Sequence, residues 1–298
     1  MNQKTKIEFY KNRTLSERFS AAADFIRQNW KVLLKNTMYI GIPLVLLQGF
    51  FFRNYMQEIM TNINSPHDMN INWGSYTGMV FPSLLLSLFL FSVIGAILRQ
   101  CVNGSLTEQT GWSDLKGNIF SFMGKMFVQY LIISVAFVLL IVLMGLLTYV
   151  ASLMGRLPST IVIALIFLAF FALLIIVSPM LLLTPYPVVF ENASAWQGLK
   201  KGFKVGFKHW GSTFLTVFLG TLLIVVIYYI LSMPYFVYII FNMGESGFVG
   251  YILSVFSSLV LFILYPVFFV FMSFQYTSIV EKEEGISLQD KIREFDNL

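Results

Sequence analysis

Residues 184–214 read TPYPVVFENASAWQGLKKGFKVGFKHWGSTF, and this stretch decides the fold. It holds Pro185, Pro187, Glu191, four lysines and four glycines, and it lies between two uncharged apolar runs, 159–183 and 212–232. Each run is long enough to cross a hydrocarbon core ~30 Å thick at ~1.5 Å per residue. A polar elbow between two such runs is what a chain makes when it leaves a membrane, turns along its surface and re-enters.

Outward from this elbow the alternation continues in both directions. Further apolar runs occupy 36–52, 77–98, 126–150 and 248–274, which makes six in all; the first is short and is interrupted by Pro43 and Gln48. The chain of 298 residues is 57% hydrophobic and 12% charged, with a mean hydropathy of +0.75. That composition excludes an ordinary soluble domain. The expected fold is therefore all-α: a polytopic membrane protein with six transmembrane helices and amphipathic helices on the cytoplasmic side, built as one integral-membrane domain.

The first 35 residues are polar and contain no short apolar run ending in small residues, so no cleavable signal peptide is expected. Cys101 is the sole cysteine, which rules out an intrachain disulfide and reads as a small buried apolar side chain. Eighteen of the twenty lysines and arginines fall on one side of a six-span topology; Arg53 and Arg156 fall on the other. Basic residues stay on the cytoplasmic side of short loops, so both termini are expected in the cytoplasm of a bacterial cell, with the spans in its inner membrane.

The elbow recurs. Ser194 and Gln197 have the spacing of a capping box, in which the serine oxygen accepts from a backbone N–H and the glutamine reaches back. Thr14 and Glu17 form another, Thr110 with Ser113 keeps half of one, and Ser287-Leu288-Gln289-Asp290 is a looser version. After each cap, apolar residues follow at helical spacing: Phe19, Ala23, Ile26 and Trp30; Trp112, Leu115, Ile119, Phe122 and Met126; Trp196, Leu199, Phe203, Phe207 and Trp210. These define three repeats of roughly 84 to 96 residues, at 14–109, 110–193 and 194–286, followed by a short C-terminal helix at 287–298.

On a helical wheel the third elbow has three stripes. Trp196, Leu199, Phe203, Phe207 and Trp210 form the first. Lys200, Lys204 and Lys208 form the second, with Lys201 alongside, and Gly198, Gly202 and Gly206 form the third. An apolar face edged by lysines suits a helix at the membrane interface, with rings at headgroup depth and ammonium groups near lipid phosphates. The glycines, each costing ~0.8–1 kcal/mol in a helix, are expected to admit a second helix at close range. Glu191 either marks the corner, paired with a lysine, or is a buried acid.

The run PYPVVFENASAWQGLKKGFKVGFKHWGSTF resembles the membrane domain found in some bacterial glycerophosphoryl diester phosphodiesterases and in related stand-alone membrane proteins. The resemblance implies a helical membrane module that accompanies lipid-related enzymes without performing the hydrolysis. This chain offers no soluble catalytic domain, so the phosphodiesterase activity is not carried over.

Little else in the sequence points to chemistry. His67 and His209 fall on opposite faces and share no metal with the lone cysteine, so no metal or cofactor is expected. There is no phosphate-binding loop or dinucleotide fingerprint. Charged residues avoid the span interiors, where a proton-coupled carrier would keep them. Gln48, Gln129, Ser87, Ser92, Ser134, Thr216, Thr221 and Ser257 are the polar groups left inside, and they are expected to bond their own helix or a neighbour. Pro179 and Pro266 read as kinks accommodated by the fold. Tyr149, Tyr235 and Tyr238 read as an outer aromatic belt.

The function expected from these features is a non-catalytic membrane module that binds anionic lipids or a protein partner through its elbows, with no role for nucleic acid. The competing expectation is a transporter or channel for an apolar or lipid-like solute. A membrane enzyme would need Glu191 or Glu108 at a buried pocket.

Overall fold

The computed structural model describes residues 7–64, 73–153, 156–242 and 247–287. These form eight helices: α1 (Leu15–Asn64), α2 (Trp73–Val102), α3 (Trp112–Ser152), α4 (Arg156–Leu183), α5 (Tyr186–Glu191), α6 (Ala195–Lys208), α7 (Trp210–Phe241) and α8 (Phe248–Glu284). Six of them, all but α5 and α6, are long and apolar enough to cross a membrane. The protein is thus all-α with six candidate spans. His67 and the residues 288–290 of the fourth cap lie outside the described residues, as does most of the expected C-terminal helix.

The helix starts follow local chemistry. At α1 the box closes as the sequence reads it: the Thr14 N–H donates to Glu17 Oε2 at 2.7 Å, and the Glu17 N–H to Thr14 Oγ1 at 3.4 Å. At α3 the cap differs from the expected Thr110 and Ser113 pair. Asp114 reaches back to the Gly111 N–H at 2.9 Å, one position later, while Thr110 Oγ1 accepts from the Thr107 N–H at 3.0 Å. The carboxylate is the better acceptor for an orphan donor, and the glycine, lacking a side chain, leaves the box half made.

The three elbows also join their spans differently. In the first and second, the amphipathic segment runs unbroken into the span, giving the 50-residue α1 and the 41-residue α3. Only the third elbow is a separate helix, α6, broken from α7 at His209.

The chain divides into two compact units, residues 1–123 with 216–298, and residues 124–215. In the first unit α1 packs on α2 and α8, and α2 on α8. The close approach depends on small residues: a Cβ on Gly49 would lie 3.0 Å from the Val255 Cα, and Ser254 Oγ donates to the Gly49 carbonyl at 3.0 Å. The buried face of the first elbow is Ala22 and Phe25, not the expected stripe; Phe19, Ala23 and Ile26 instead line a small groove of about 140 Å³ with α7 and α8.

Several of the polar groups in this unit are bonded within it, although the buried Ser232 and Tyr235 hydroxyls have no hydrogen-bond partner among the described residues. Gln48 donates to Ser83 at 3.1 Å, Thr216 to Gln275 at 3.0 Å, Ser92 to its own helix at Leu88, and Tyr228 and Ser257 share a bond of 3.1 Å. Arg18 also reaches Gln275. Tyr235 is buried against Phe52 rather than standing in an outer belt, because its ring fills the space between helices. Cys101 is half-buried, not the fully buried residue expected of a small apolar side chain.

The polar N-terminal segment has a structural role that its composition conceals. Phe9 stacks on Phe274 with centroids 5.0 Å apart and meets Phe25 edge-on at 5.8 Å. The Arg13 N–H donates to Ser278 Oγ at 3.0 Å, and its guanidinium lies 5.3 Å from the Phe274 ring centroid.

Candidate lipid-facing site on the third elbow

The site belongs to the second unit and is built by α3, α4, α5 and α6. At the end of α4, Thr184 and Pro185 interrupt the helix, and the short α5 follows, an element the two prolines conceal in the sequence. Asn192 ends α5 in the left-handed conformation at φ 55°, which asparagine tolerates better than most side chains. Its Oδ1 accepts from Lys125 Nζ at 3.1 Å.

Ser194 then caps α6. Its hydroxyl accepts from the Gln197 N–H at 3.3 Å, and Gln197 Oε1 accepts from the Ser194 N–H at 3.1 Å. Both halves of the box are present. Two of the orphan donors at this helix start are thereby satisfied by side chains alone.

The glycine stripe faces α4. A Cβ on Gly202 would stand 2.4 Å from the Thr184 Cα, and one on Gly206 would stand 2.8 Å from the Met180 Cα. These neighbours are backbone and cannot yield, so the two helices meet at a distance that only glycine permits. At Gly198 the obstacle is Gln129, whose Nε2 would be 2.6 Å away. Gln129 is fully buried, and its amide donates to the carbonyls of Thr184 at 3.2 Å and Ala195 at 3.1 Å. One side chain from α3 therefore ties the end of α4 to the start of α6, a tertiary role the sequence leaves open.

With the glycines inward, the aromatic stripe is turned out. Trp196 is 63% exposed and Phe207 69%. Together with Phe203 and Leu199 they form one wall of an open cavity of about 800 Å³, whose other walls come from Ile132–Leu140 of α3 and Leu173–Leu181 of α4. Lys200 and Lys204 are the charged residues in its lining. A second groove of about 200 Å³ shares Leu140 and Leu173 with the first and continues between α3 and α4 past Met144 and Phe170. The two grooves adjoin at Leu140 and Leu173, so that apolar lining follows α3 and α4 as a seam whose α6 end carries Lys200 and Lys204.

Four of the sequence-predicted residues take other positions. Trp210 is not on the α6 stripe; it opens α7, donates its indole N–H to the Ile176 carbonyl at 2.8 Å and stacks on Phe214. Glu191 is not a buried acid. It stands at the surface and pairs with Lys201 at 2.9 Å, and Lys201 is not part of the cavity lining. Such a pair at the surface, its side chains 28% and 25% exposed, contributes ~0–1 kcal/mol. Lys208 is exposed at the last turn of α6 but is absent from the cavity lining.

Glu108 is likewise on the surface, so neither acid lines a buried pocket. Among the described residues no group of three histidine, cysteine or acidic side chains could hold a metal ion. No family model, curated protein or solved structure matches the chain.

Proposed function

We propose that the protein is a non-catalytic lipid-binding module of a bacterial inner membrane, with both termini in the cytoplasm, that holds anionic lipids through α6. The observation that supports this reading is the placement of Lys200 and Lys204 in the lining of an apolar cavity walled by Trp196, Phe203 and Phe207. Rings with this exposure belong at headgroup depth, and lysines beside them meet phosphates. The 18 to 2 distribution of basic residues supports the orientation. The resemblance of the elbow to membrane domains that accompany lipid-related enzymes points the same way.

Native mass spectrometry of the full chain in detergent, with added phosphatidylglycerol or phosphatidylcholine, tests the reading. The expected result is preferential retention of the anionic lipid, lowered about tenfold or more by K200Q with K204Q. That figure follows from ~1 kcal/mol per lysine at an anionic surface and ~1.4 kcal/mol per tenfold. Equal retention of the two lipids, unchanged in the double variant, overturns it.

The seam between α3 and α4 also suits a second reading, a carrier for a lipid-like solute. That reading expects labelled lipid to change leaflets in proteoliposomes faster than in empty vesicles. Equal rates remove it.

A further inference from the structure

We infer that the seam between α3, α4 and α6 binds one anionic phospholipid as a discrete ligand, with an acyl chain lying along α3 and α4 and the phosphate at Lys200 and Lys204. This rests on the lipid-binding reading above and adds a defined site, a chain path and a stoichiometry.

Three observations carry it. The first is length. The lining residues on α3 run from Ile132 to Leu147, a rise of ~22 Å, whereas one leaflet of a ~30 Å hydrocarbon core is ~15 Å deep. The seam is therefore long enough to hold a whole chain of the leaflet in which α6 lies. The second is chemistry. Ile132, Ile133, Leu140, Met144, Phe170 and Leu173 offer an unbroken apolar lining, and the cationic lining residues are gathered on α6. A ligand with a long apolar tail and an anionic head matches that polarity, and a zwitterionic or uncharged one matches only half of it.

The third is rigidity. The mouth of the seam is set by α6, and α6 is held against α4 by the close contacts of Gly202 and Gly206 and by the two bonds from Gln129. A wall fixed in this way is preorganised, so binding does not have to order it. By contrast, the groove on the first elbow, at about 140 Å³, has no lysine or arginine in its lining. Interfacial adhesion alone would need the rings and lysines of α6 but would not need the seam to continue between α3 and α4.

The experiment uses the full chain in nanodiscs containing phosphatidylglycerol with a photoactivatable group near the middle of one acyl chain. Crosslinked peptides are mapped on the unmodified protein first, which requires no variant. The expected products concentrate in 132–147 and 166–181. Products spread evenly over all six spans overturn the inference. Ala136→Trp, which places a ring in the seam from an exposed position, is then expected to lower crosslinking at least tenfold. Val138→Trp, on the same helix but outside the lining, is expected to leave it unchanged.

Equal yields from Ala136→Trp and Val138→Trp overturn the chain path but leave the lipid-binding reading standing, provided the phosphatidylglycerol preference persists. Loss of that preference in the unmodified protein overturns the lipid-binding reading, and the headgroup half of this inference with it. Crosslinks still confined to the seam in phosphatidylcholine would then mark an apolar chain site without charge selection.

Discussion

The second and third elbows share a sequence pattern and have opposite fates. In the second, Leu115, Ile119 and Phe122 are at most 1% exposed, and the apolar stripe is core. In the third, Trp196 and Phe207 are more than half exposed, and the buried stripe is the glycines. Helical periodicity identifies an apolar face in both cases but says nothing of what the face meets. The difference lies in what else each helix offers. The second has no glycine row: an added Cβ on Gly117 or on Gly124 would meet nothing within 4 Å. The third has three glycines in line, and backbone against backbone uses up the inward face, which leaves the rings outside.

The sharpest way to break this comparison is a pair of truncations. Phe122→Ala is expected to destabilise the protein by ~3–5 kcal/mol, the cost of deleting a buried phenyl ring, while Phe207→Ala should fall within ~0.5 kcal/mol, as exposed substitutions do. Thermal or denaturant unfolding in detergent would show it; comparable losses would mean that α6 is buried in solution.

A second pair tests the glycines. Gly202→Leu puts atoms onto the Thr184 backbone and is expected to cost ~1–3 kcal/mol or more and to lower the yield of folded protein. Gly117→Leu, in the open, is expected to stabilise α3 slightly, by up to the ~0.8–1 kcal/mol that helical glycine forfeits. Identical behaviour would remove the argument that α6 needs its glycines to dock. The smallest effect belongs to Glu191→Gln, which removes the pair with Lys201 and is expected to change stability by no more than ~1 kcal/mol. A loss of several kcal/mol would restore Glu191 as a structural acid.

Much of this architecture was legible beforehand because its signals are local. The Ser194–Gln197 box depends on residues three apart, and it closes as spacing alone requires. The six spans follow from runs of apolar side chains, since a bilayer leaves no other way to satisfy the backbone. Less legible were features that depend on distant partners. Nothing near Gln129 in sequence indicates that its amide serves carbonyls at 184 and 195. Nothing near Phe9 indicates a ring at 274. Trp210 fits the α6 stripe by periodicity, but the helix breaks at His209 and the residue belongs to α7. The short α5 lay behind Pro185 and Pro187, which read equally well as a plain stop.

By itself, then, the amino-acid sequence determined that the protein is helical, how often it can cross a membrane and where its elbows begin, because hydrophobic length and capping chemistry act within a few residues of one another. Tertiary structure alone decided which elbow became core and which kept an open face, and that Glu191 is a surface ion pair. It also decided that Lys200 and Lys204 stand over an apolar seam. Those outcomes rest on how closely two backbones approach and on which side chain arrives from elsewhere in the chain, and no local pattern encodes either.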